Sequence, residues 1–311
     1  MARHENRPDE AWIAVDWGTS NLRAWVIGPD GAVRAREASA RGAGMLAPEA
    51  FEPALLEVIG RHLPEGKVTT VIACGMVGAR ECWAEAPYDA VPCPPPGLEH
   101  AVRAPTRDPR LDVRILPGLK QLSPPDVLRG EETQIAGFLA THPRFDGIVC
   151  LPGTHSKWVH VSAGEIVSFR TYMTGEIYGL LAERSVLSHA LRGEGWDEDA
   201  FVAAVAEAMA NPQHLSSRLF ALRADALLNG TRPAIARARL SGYLVGLELA
   251  GARGYWLGQD VALLGEGRLC DHYEAALRAQ GLVPRRVEGE DMALVGLKAA
   301  RAGAMAQGAG A

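Results

Sequence analysis

Residues 12–26 read WIAVDWGTSNLRAWV. Trp12-Ile13-Ala14-Val15 is an apolar run of strand length, and at its end stand a carboxylate, a glycine and two hydroxyls: Asp16, Gly18, Thr19 and Ser20. A turn that only reversed the chain would need no more than Asn-Gly or Asp-Gly. Beyond it, LRAWVIGP and AVRAREASA flank a Pro-Asp-Gly turn, so residues 12 to about 40 read as an antiparallel meander.

The same plan returns in GIVCLPGTHSKWVHVSAGEIVSF, residues 147–169. A buried-type strand ends in Gly153-Thr154-His155-Ser156, as the first ends in Gly18-Thr19-Ser20-Asn21, and each is followed by a Trp-Val-containing strand and a hairpin turn. The chain thus uses one supersecondary unit twice. A polyphosphate held by both turns explains their composition. Glycine lets backbone N–H groups approach phosphate oxygens, the hydroxyls of Thr19, Ser20, Thr154 and Ser156 add donors, and Asp16 can hold a magnesium ion through water. For either turn taken singly, a plain reversal stays the alternative. No P-loop and no dinucleotide G-x-G-x-x-G is present, and no G-x-S-x-G marks a hydrolase.

Around these turns the pattern predicts a helix near 48–63 and the strand VTTVIAC at 68–74. The strand runs into Gly75-Met76-Val77-Gly78, which is either a ligand-gathering strand end or a tight turn. Residues 87–126 are rich in proline and read as loops with one short strand, VRILPG. LRGEETQIAGFLA opens a helix whose first turn carries Glu131 and Glu132, an arrangement that also suits the helix dipole alone. Helices follow near 176–191, 198–210, 214–228 and 233–251. DVALLGEG at 260–267 is a strand ending in Gly265 and Gly267, a helix covers 271–280, and a last helix, EDMALVGLKAARAGA, runs out into a fraying Gly/Ala tail.

With 311 residues, 48% hydrophobic and 22% charged, the chain has the composition of a globular protein and is long enough for one large domain or two smaller ones, the length favouring two. A formal net charge of -5 argues against nucleic acid as a partner and leaves small metabolites. Five cysteines with no C-x-x-C pair suggest neither disulfides nor zinc and fit a reducing cytoplasm. The polar N-terminus has no signal-peptide core, and no apolar run approaches the roughly 18 residues of a membrane span, so no membrane partner is expected. Oligomeric state, including a homodimer, stays open. Trp17 and Trp25 read as core or cleft lining. His155 and His160 do not share a face and do not read as a metal pair, and Lys157 either meets phosphate or faces solvent.

Asp16-Trp17-Gly18-Thr19-Ser20 resembles the first phosphate motif of the actin, sugar-kinase and heat-shock-chaperone superfamily, and Leu151-Pro152-Gly153-Thr154-His155-Ser156-Lys157-Trp158 its second. Val261–Gly267 resembles the adenosine motif, with Glu266 interrupting the usual glycine pair. DWGTSNLRAW, ACGMVGARECW, RGEETQIAG, LPGTHSKWV and FRTYMTGEIYGLL, in order from about residue 12 to about 300, are together similar to the 2-dehydro-3-deoxygalactonokinase family.

The resemblance implies an α/β fold of two ribonuclease-H-like, actin-like ATPase domains with an interdomain cleft. Residues 1–132, completed by a helix at about 290–311, form the first domain and 133–289 the second. It implies ATP and Mg2+ as cofactors and transfer to the terminal (6-) hydroxyl of a 2-keto-3-deoxy sugar acid, with 2-dehydro-3-deoxy-D-galactonate expected. ATP would be held by Gly18, Thr19, Ser20, Gly153, Thr154, His155, Ser156, Lys157, Gly265 and Gly267, and the metal by Asp16. The catalytic base falls on Glu131 or Glu132; Glu132 is favoured because Thr133-Gln134 matches the relatives' helix start. The sugar acid would meet Gly75, Met76 and an arginine. Arg170 ranks first, before Arg23 and Arg80, and the alternative for each is a surface ion pair. The competing readings are a nucleotide-dependent regulatory or chaperone-like ATPase and a phosphohydrolase. A client-binding domain or a helix-turn-helix would point to the former, and the short polar stretch before Trp12 suggests neither.

Overall fold

The computed structural model describes residues 10–265, 267–287 and 292–308. Glu266, whose place in the glycine motif bears on adenine contact, lies outside them. Two compact units divide the chain. The first takes residues up to Phe145, the segment Ala163–Val167 and the residues from 290 onward; the second takes Asp146–Ser162 and Ser168–Gly289.

In the first unit, β1 (Trp12–Trp17), β2 (Leu22–Ile27) and β3 (Val33–Ser39) form the expected meander. The chain then passes through α1 (Phe51–Ile59) to β4 (Thr69–Gly75), which lies parallel to β1. β5 (Tyr88–Ala90), β6 (Val102–Arg103), β7 (Leu111–Ile115), β8 (Gly118–Leu122) and β9 (Pro125–Leu128) follow, then α2 (Glu131–Thr141). The main sheet has the order β3-β2-β1-β4-β7-β6. Strand alternation sorts its side chains to two cores. Ile13, Val15, Val71 and Ala73 meet Phe51 and Leu55 of α1, while Trp12, Ala14, Ile72 and Cys74 meet Leu294 and Leu297 of the C-terminal helix. Both faces are covered, so β1 is buried nearly throughout. Trp17 is fully buried, with its ring 5.0 Å from that of Phe51. Burial of a side chain of this size contributes about 3 kcal/mol.

Residues 87–126 hold more structure than their prolines suggest: β5, β8 and β9 form a separate three-stranded sheet. Pro124 and Pro125 act as the hairpin's turn and the first residue of β9, positions where a missing N–H costs no ladder bond.

The second unit repeats the meander with β10 (Gly147–Leu151), β11 (Ser156–Ser162) and β12 (Glu165–Tyr172). Where the first unit crosses through α1, the second crosses through six helices: α3 (Thr174–Arg184), α4 (Ser188–Leu191), α5 (Glu198–Ala210), α6 (Leu215–Leu228), α7 (Pro233–Gly251) and α8 (Arg253–Trp256). It then reaches β13 (Val261–Leu264), parallel to β10, followed by α9 (Gly267–Arg278) and β14 (Arg285–Val287). The helix expected over 176–191 is two. Ser185 breaks it, its hydroxyl donating to the Leu181 carbonyl at 2.5 Å and accepting from the Leu187 N–H at 3.0 Å. α9 starts at Gly267, earlier than the spacing suggests, and α10 (Met292–Gly308) is helical up to 308; the end of the expected fraying tail, 309–311, lies outside the described residues.

α2 belongs to the first unit because it packs tightly on α10, so the unit boundary falls after Phe145 and not at 132. The packing is backbone to backbone. A Cβ on Gly137 would overlap the Met292 carbonyl, and one on Gly296 the Thr133 carbonyl. Among the described residues no helix is long and apolar enough to cross a membrane.

Candidate active site

In the first unit the site grows from the ends of β1 and β4. Asp16 pairs in register with Arg23 of β2 and Cys74 of β4. The Arg23 guanidinium donates to Asp16 Oδ2 at 2.6 Å, and the Cys74 thiol lies 3.9 Å from Oδ1. The turn after β1 closes with Gly18 N–H on the Asn21 carbonyl at 2.9 Å. It is strapped from outside by Ala43 and Gly44, whose N–H groups donate to the carbonyls of Gly18 and Thr19. Thr19 and Ser20 remain exposed.

Gly75 ends β4 with φ of 93°, and Gly130 precedes α2 with φ of 110°. A side chain on either would strain the backbone and crowd the other strand end. A Cβ on Gly75 would lie 2.7 Å from the Trp17 carbonyl, and one on Gly130 3.2 Å from the Gly75 Cα. This contact sets the N-terminus of α2 against the ends of β1 and β4. Glu132 is 1% exposed, and both its carboxylate oxygens lie within 2.8 Å of the Gly130 nitrogen. Burial, then the Glu131 charge, pushes its carboxyl up to about 8. Glu131 is half-buried and accepts the Arg129 N–H at 3.0 Å. The Cys74 thiol is pushed well up by burial, then by the charges of Asp16 and Glu132.

Arg129 escaped the sequence reading. Its Nε donates to the Tyr88 hydroxyl at 3.0 Å and Nη2 to the Ala86 carbonyl at 2.9 Å, with the guanidinium 4.1 Å above the Tyr88 ring. Nη1 is buried without a hydrogen-bond partner among the described residues, and a Cβ on Gly78 would lie 2.7 Å from it. The guanidinium therefore sits under the Met76–Gly78 turn. Its signal was its place, directly before Gly130-Glu131-Glu132. Arg80, by contrast, is 85% exposed and pairs with Glu85.

In the second unit the turn Gly153–His155 leads from β10 to β11. Thr154 and His155 are exposed, and Glu176 of α3 reaches back to both: its N–H donates to the Thr154 carbonyl at 2.9 Å, and its carboxylate meets His155 Nε2 at 2.5 Å. Gly175 packs so closely that a Cβ would overlap the Gly153 carbonyl. The turn opens on a cavity of about 360 Å³ whose walls include Thr174, Tyr178 and Trp196, Ser241 and Leu244 of α7, and Leu269, His272 and Tyr273 of α9. Trp196 and His272 stack there, centroids 3.9 Å apart at 11°. Burial lowers the His272 pKa and keeps the ring neutral. Gly265 and Gly267 join β13 to α9, so the glycine motif delivers a helix to the same cavity as the second turn.

Of the residues assigned from sequence, two are turned inward and a third lines another pocket. Ser156 is fully buried, its hydroxyl 2.7 Å from the Tyr273 hydroxyl. Lys157 is 5% exposed and donates to the His155 carbonyl at 3.2 Å, so it does not face solvent. Arg170 is exposed and lines a separate pocket with His160, Ser168 and Tyr255 that shares no wall with the Gly153 cavity. No group of three or more His, Cys, Asp or Glu forms a metal cluster among the described residues.

The family model for 2-keto-3-deoxy-galactonokinase matches residues 16–300. The chain belongs to that family. A Rhizobium meliloti relative named "Probable 2-dehydro-3-deoxygalactonokinase" is 43% identical over 93% of this chain and 96% of its own length. The 2-dehydro-3-deoxygalactonokinase of Escherichia coli is 34% identical over 92% and 96%. A crystal structure of a Sinorhizobium meliloti protein assigned to the same activity superposes with a TM-score of 0.84 at 40% identity, covering 95% of this chain and 96% of that one. Members of the kinase family thus share this fold, and so does a dehydratase activator from Clostridium difficile solved with bound ADPNP, at a TM-score of 0.53 and 10% identity over 97% and 98%. The fold is the α/β fold of actin-like ATPases and sugar kinases, and the chain is a carbohydrate kinase.

Proposed function

We propose that this chain transfers the γ-phosphoryl group of ATP to the terminal hydroxyl of 2-dehydro-3-deoxygalactonate, as the names of its relatives suggest. One observation supports the chemistry most directly: a buried glutamate, Glu132, with its carboxyl pushed up to about 8, opens α2 where Gly130 packs against the Gly75 end of β4. Phosphoryl transfer asks the protein to position the reactants, to balance charge and to supply a proton acceptor. A carboxyl pushed up to about 8 is a stronger acceptor than an ordinary glutamate, and in its ionised form it takes the proton of the attacking hydroxyl.

The exposed hydroxyls of Thr19, Ser20 and Thr154 and the Thr154 N–H are the phosphate donors in this reading. The cavity behind Gly153 takes the nucleoside. Asp16 fits a magnesium site: Mg2+ binds protein through one or two carboxylates and keeps waters and phosphate oxygens as its other ligands. A metal bound there would supply charge neutralisation; Arg23 holds the Asp16 carboxylate in place.

For the sugar-acid carboxylate the structure favours Arg129 over the arginines ranked from sequence. Arg23 and Arg80 are in ion pairs and Arg170 lies in another pocket, whereas Arg129 offers a buried, unpartnered Nη1 beside the Met76–Gly78 turn and the Glu131-Glu132 pair. The deciding experiment measures ATP consumption against a panel of 2-keto-3-deoxy aldonates with mass detection of the product. Phosphorylation of 2-dehydro-3-deoxygalactonate at its terminal carbon is expected. ATP turnover that no sugar acid stimulates would favour a phosphohydrolase instead.

A further inference from the structure

Beneath the second turn lies a polar cluster that the reaction above does not use. Glu248, on α7, is 2% exposed. Its Oε1 accepts from the Trp158 indole N–H of β11 at 2.8 Å. Its Oε2 accepts from the Tyr273 hydroxyl of α9 at 2.7 Å and from the Thr174 hydroxyl at the start of α3. One carboxylate thus ties together three elements around the Gly153 cavity, two of which, through Thr174 and Tyr273, form its walls.

The cluster has a direction. Burial, then the neighbouring Glu248, pushes the Tyr273 phenol well up, so the phenol keeps its proton and donates a hydrogen bond to Glu248. Tyr273 has no second proton, so in its 2.7 Å contact with Ser156 the serine must donate. Ser156 Oγ is left as an acceptor toward the Gly153 N–H, 3.5 Å away. Donation runs one way, from the turn through Ser156 and Tyr273 to Glu248. The Ser156 hydroxyl is consequently spent inward and is no phosphate donor.

We propose that Glu248 is a positioning residue for the nucleotide: through Tyr273 and Ser156 it fixes the orientation of the Gly153-Thr154 backbone, and through Thr174 it seats α3 against that turn. The inference rests on the kinase reading only in naming ATP as the ligand. A buried acceptor shared by three donors is a demanding arrangement, because removing any one partner leaves others unpaired in an apolar setting. A Val, Leu or Phe at 248 would fill the space without anchoring any of the three.

The test compares Glu248→Gln, Tyr273→Phe and their double variant with the wild type in the intact chain. Folding is checked by thermal melting, binding by titration with a non-hydrolysable ATP analogue, and KM is measured separately for ATP and for the sugar acid. Each folded single variant is expected to lose about tenfold in ATP affinity. The sugar-acid KM should stay put, and the double variant should lose little more than either single one, because the two act through one chain of bonds. Wild-type ATP affinity in folded Tyr273→Phe, or fully additive losses, would overturn the proposal. If Glu248→Gln does not fold, Thr174→Val and Tyr273→Phe decide it by the same readout. A wild type that binds ATP but phosphorylates no sugar acid would defeat the kinase reading alone, and the variants' ATP affinities would still judge Glu248.

Discussion

Both carboxylate oxygens of Glu132 are held at the single backbone N–H of Gly130, at 2.8 and 2.7 Å. The bond turns the side chain back over the first turn of α2 to Gly130, which packs against the Gly75 end of β4. A glutamate pointing outward from the first turn would gain only from the helix dipole. This one is buried and crowded by Glu131, a costly arrangement that suits a proton acceptor better than a cap.

Glu132→Gln should therefore lower kcat by at least about 100-fold with ATP affinity nearly unchanged. Glu131→Gln should cost much less. Steady-state kinetics of the two variants, with ATP binding measured by titration, checks the assignment; the reverse order would move the base to Glu131.

The raised pKa of Glu132 also fixes the sign of two pH dependences. In the folded chain the group holds its proton up to about 8, whereas an ordinary glutamate releases it near 4.5. The native state therefore binds more protons between those values, and stability should fall as pH rises from 4.5 to about 8. Buried Glu248, also shifted upward, adds to the same slope. Urea melts across this range should show the decline, shallower in Glu132→Gln. Activity should move the other way, with kcat/KM rising toward pH 8 as the base ionises.

Arg129→Met should raise the KM for the sugar acid by about tenfold or more, the usual loss for a charged hydrogen bond, with the KM for ATP little changed. Arg129→Lys should rescue only part, since a point charge cannot reproduce a fork already committed to Tyr88 and Ala86. Arg170→Met should leave both constants near wild type.

Gly296→Ala tests how α2 is held. The added methyl would overlap the Thr133 carbonyl, so α10 and α2 must separate, at a cost of roughly 1–3 kcal/mol. The melting temperature should drop, and kcat should fall with it because Thr133 adjoins Glu132. A variant as stable as wild type would show that the helices have slack.

The strands and turns were legible because they obey local rules. Alternation in WIAVDW and the repeated Gly-Thr turn announce themselves within a few residues, and the second meander follows from likeness to the first. The site was legible only as far as residue type goes. Ser156 and Lys157 look like phosphate donors, yet both are buried, Ser156 against the Tyr273 hydroxyl of α9 and Lys157 with its ammonium on the His155 carbonyl. Arg129 and Glu248 went unnoticed because their roles depend on partners 41 to 90 positions away in sequence, Tyr88 for the one and Trp158 for the other. The β8–β9 hairpin was hidden because proline reads as a breaker whether it interrupts a strand or starts one.

The two meanders differ chiefly in what joins the third strand to the fourth: one helix in the first unit, six in the second. Such a bridge can be enlarged without touching a single ladder bond, so evolution could elaborate one copy of the duplicated framework while leaving its twin plain. Tyr178, Trp196, Ser241 and Leu244 all come from the enlarged bridge. Grafting the span between β12 and β13 from a relative would exchange the cavity's wall while preserving the glycine turns on either side.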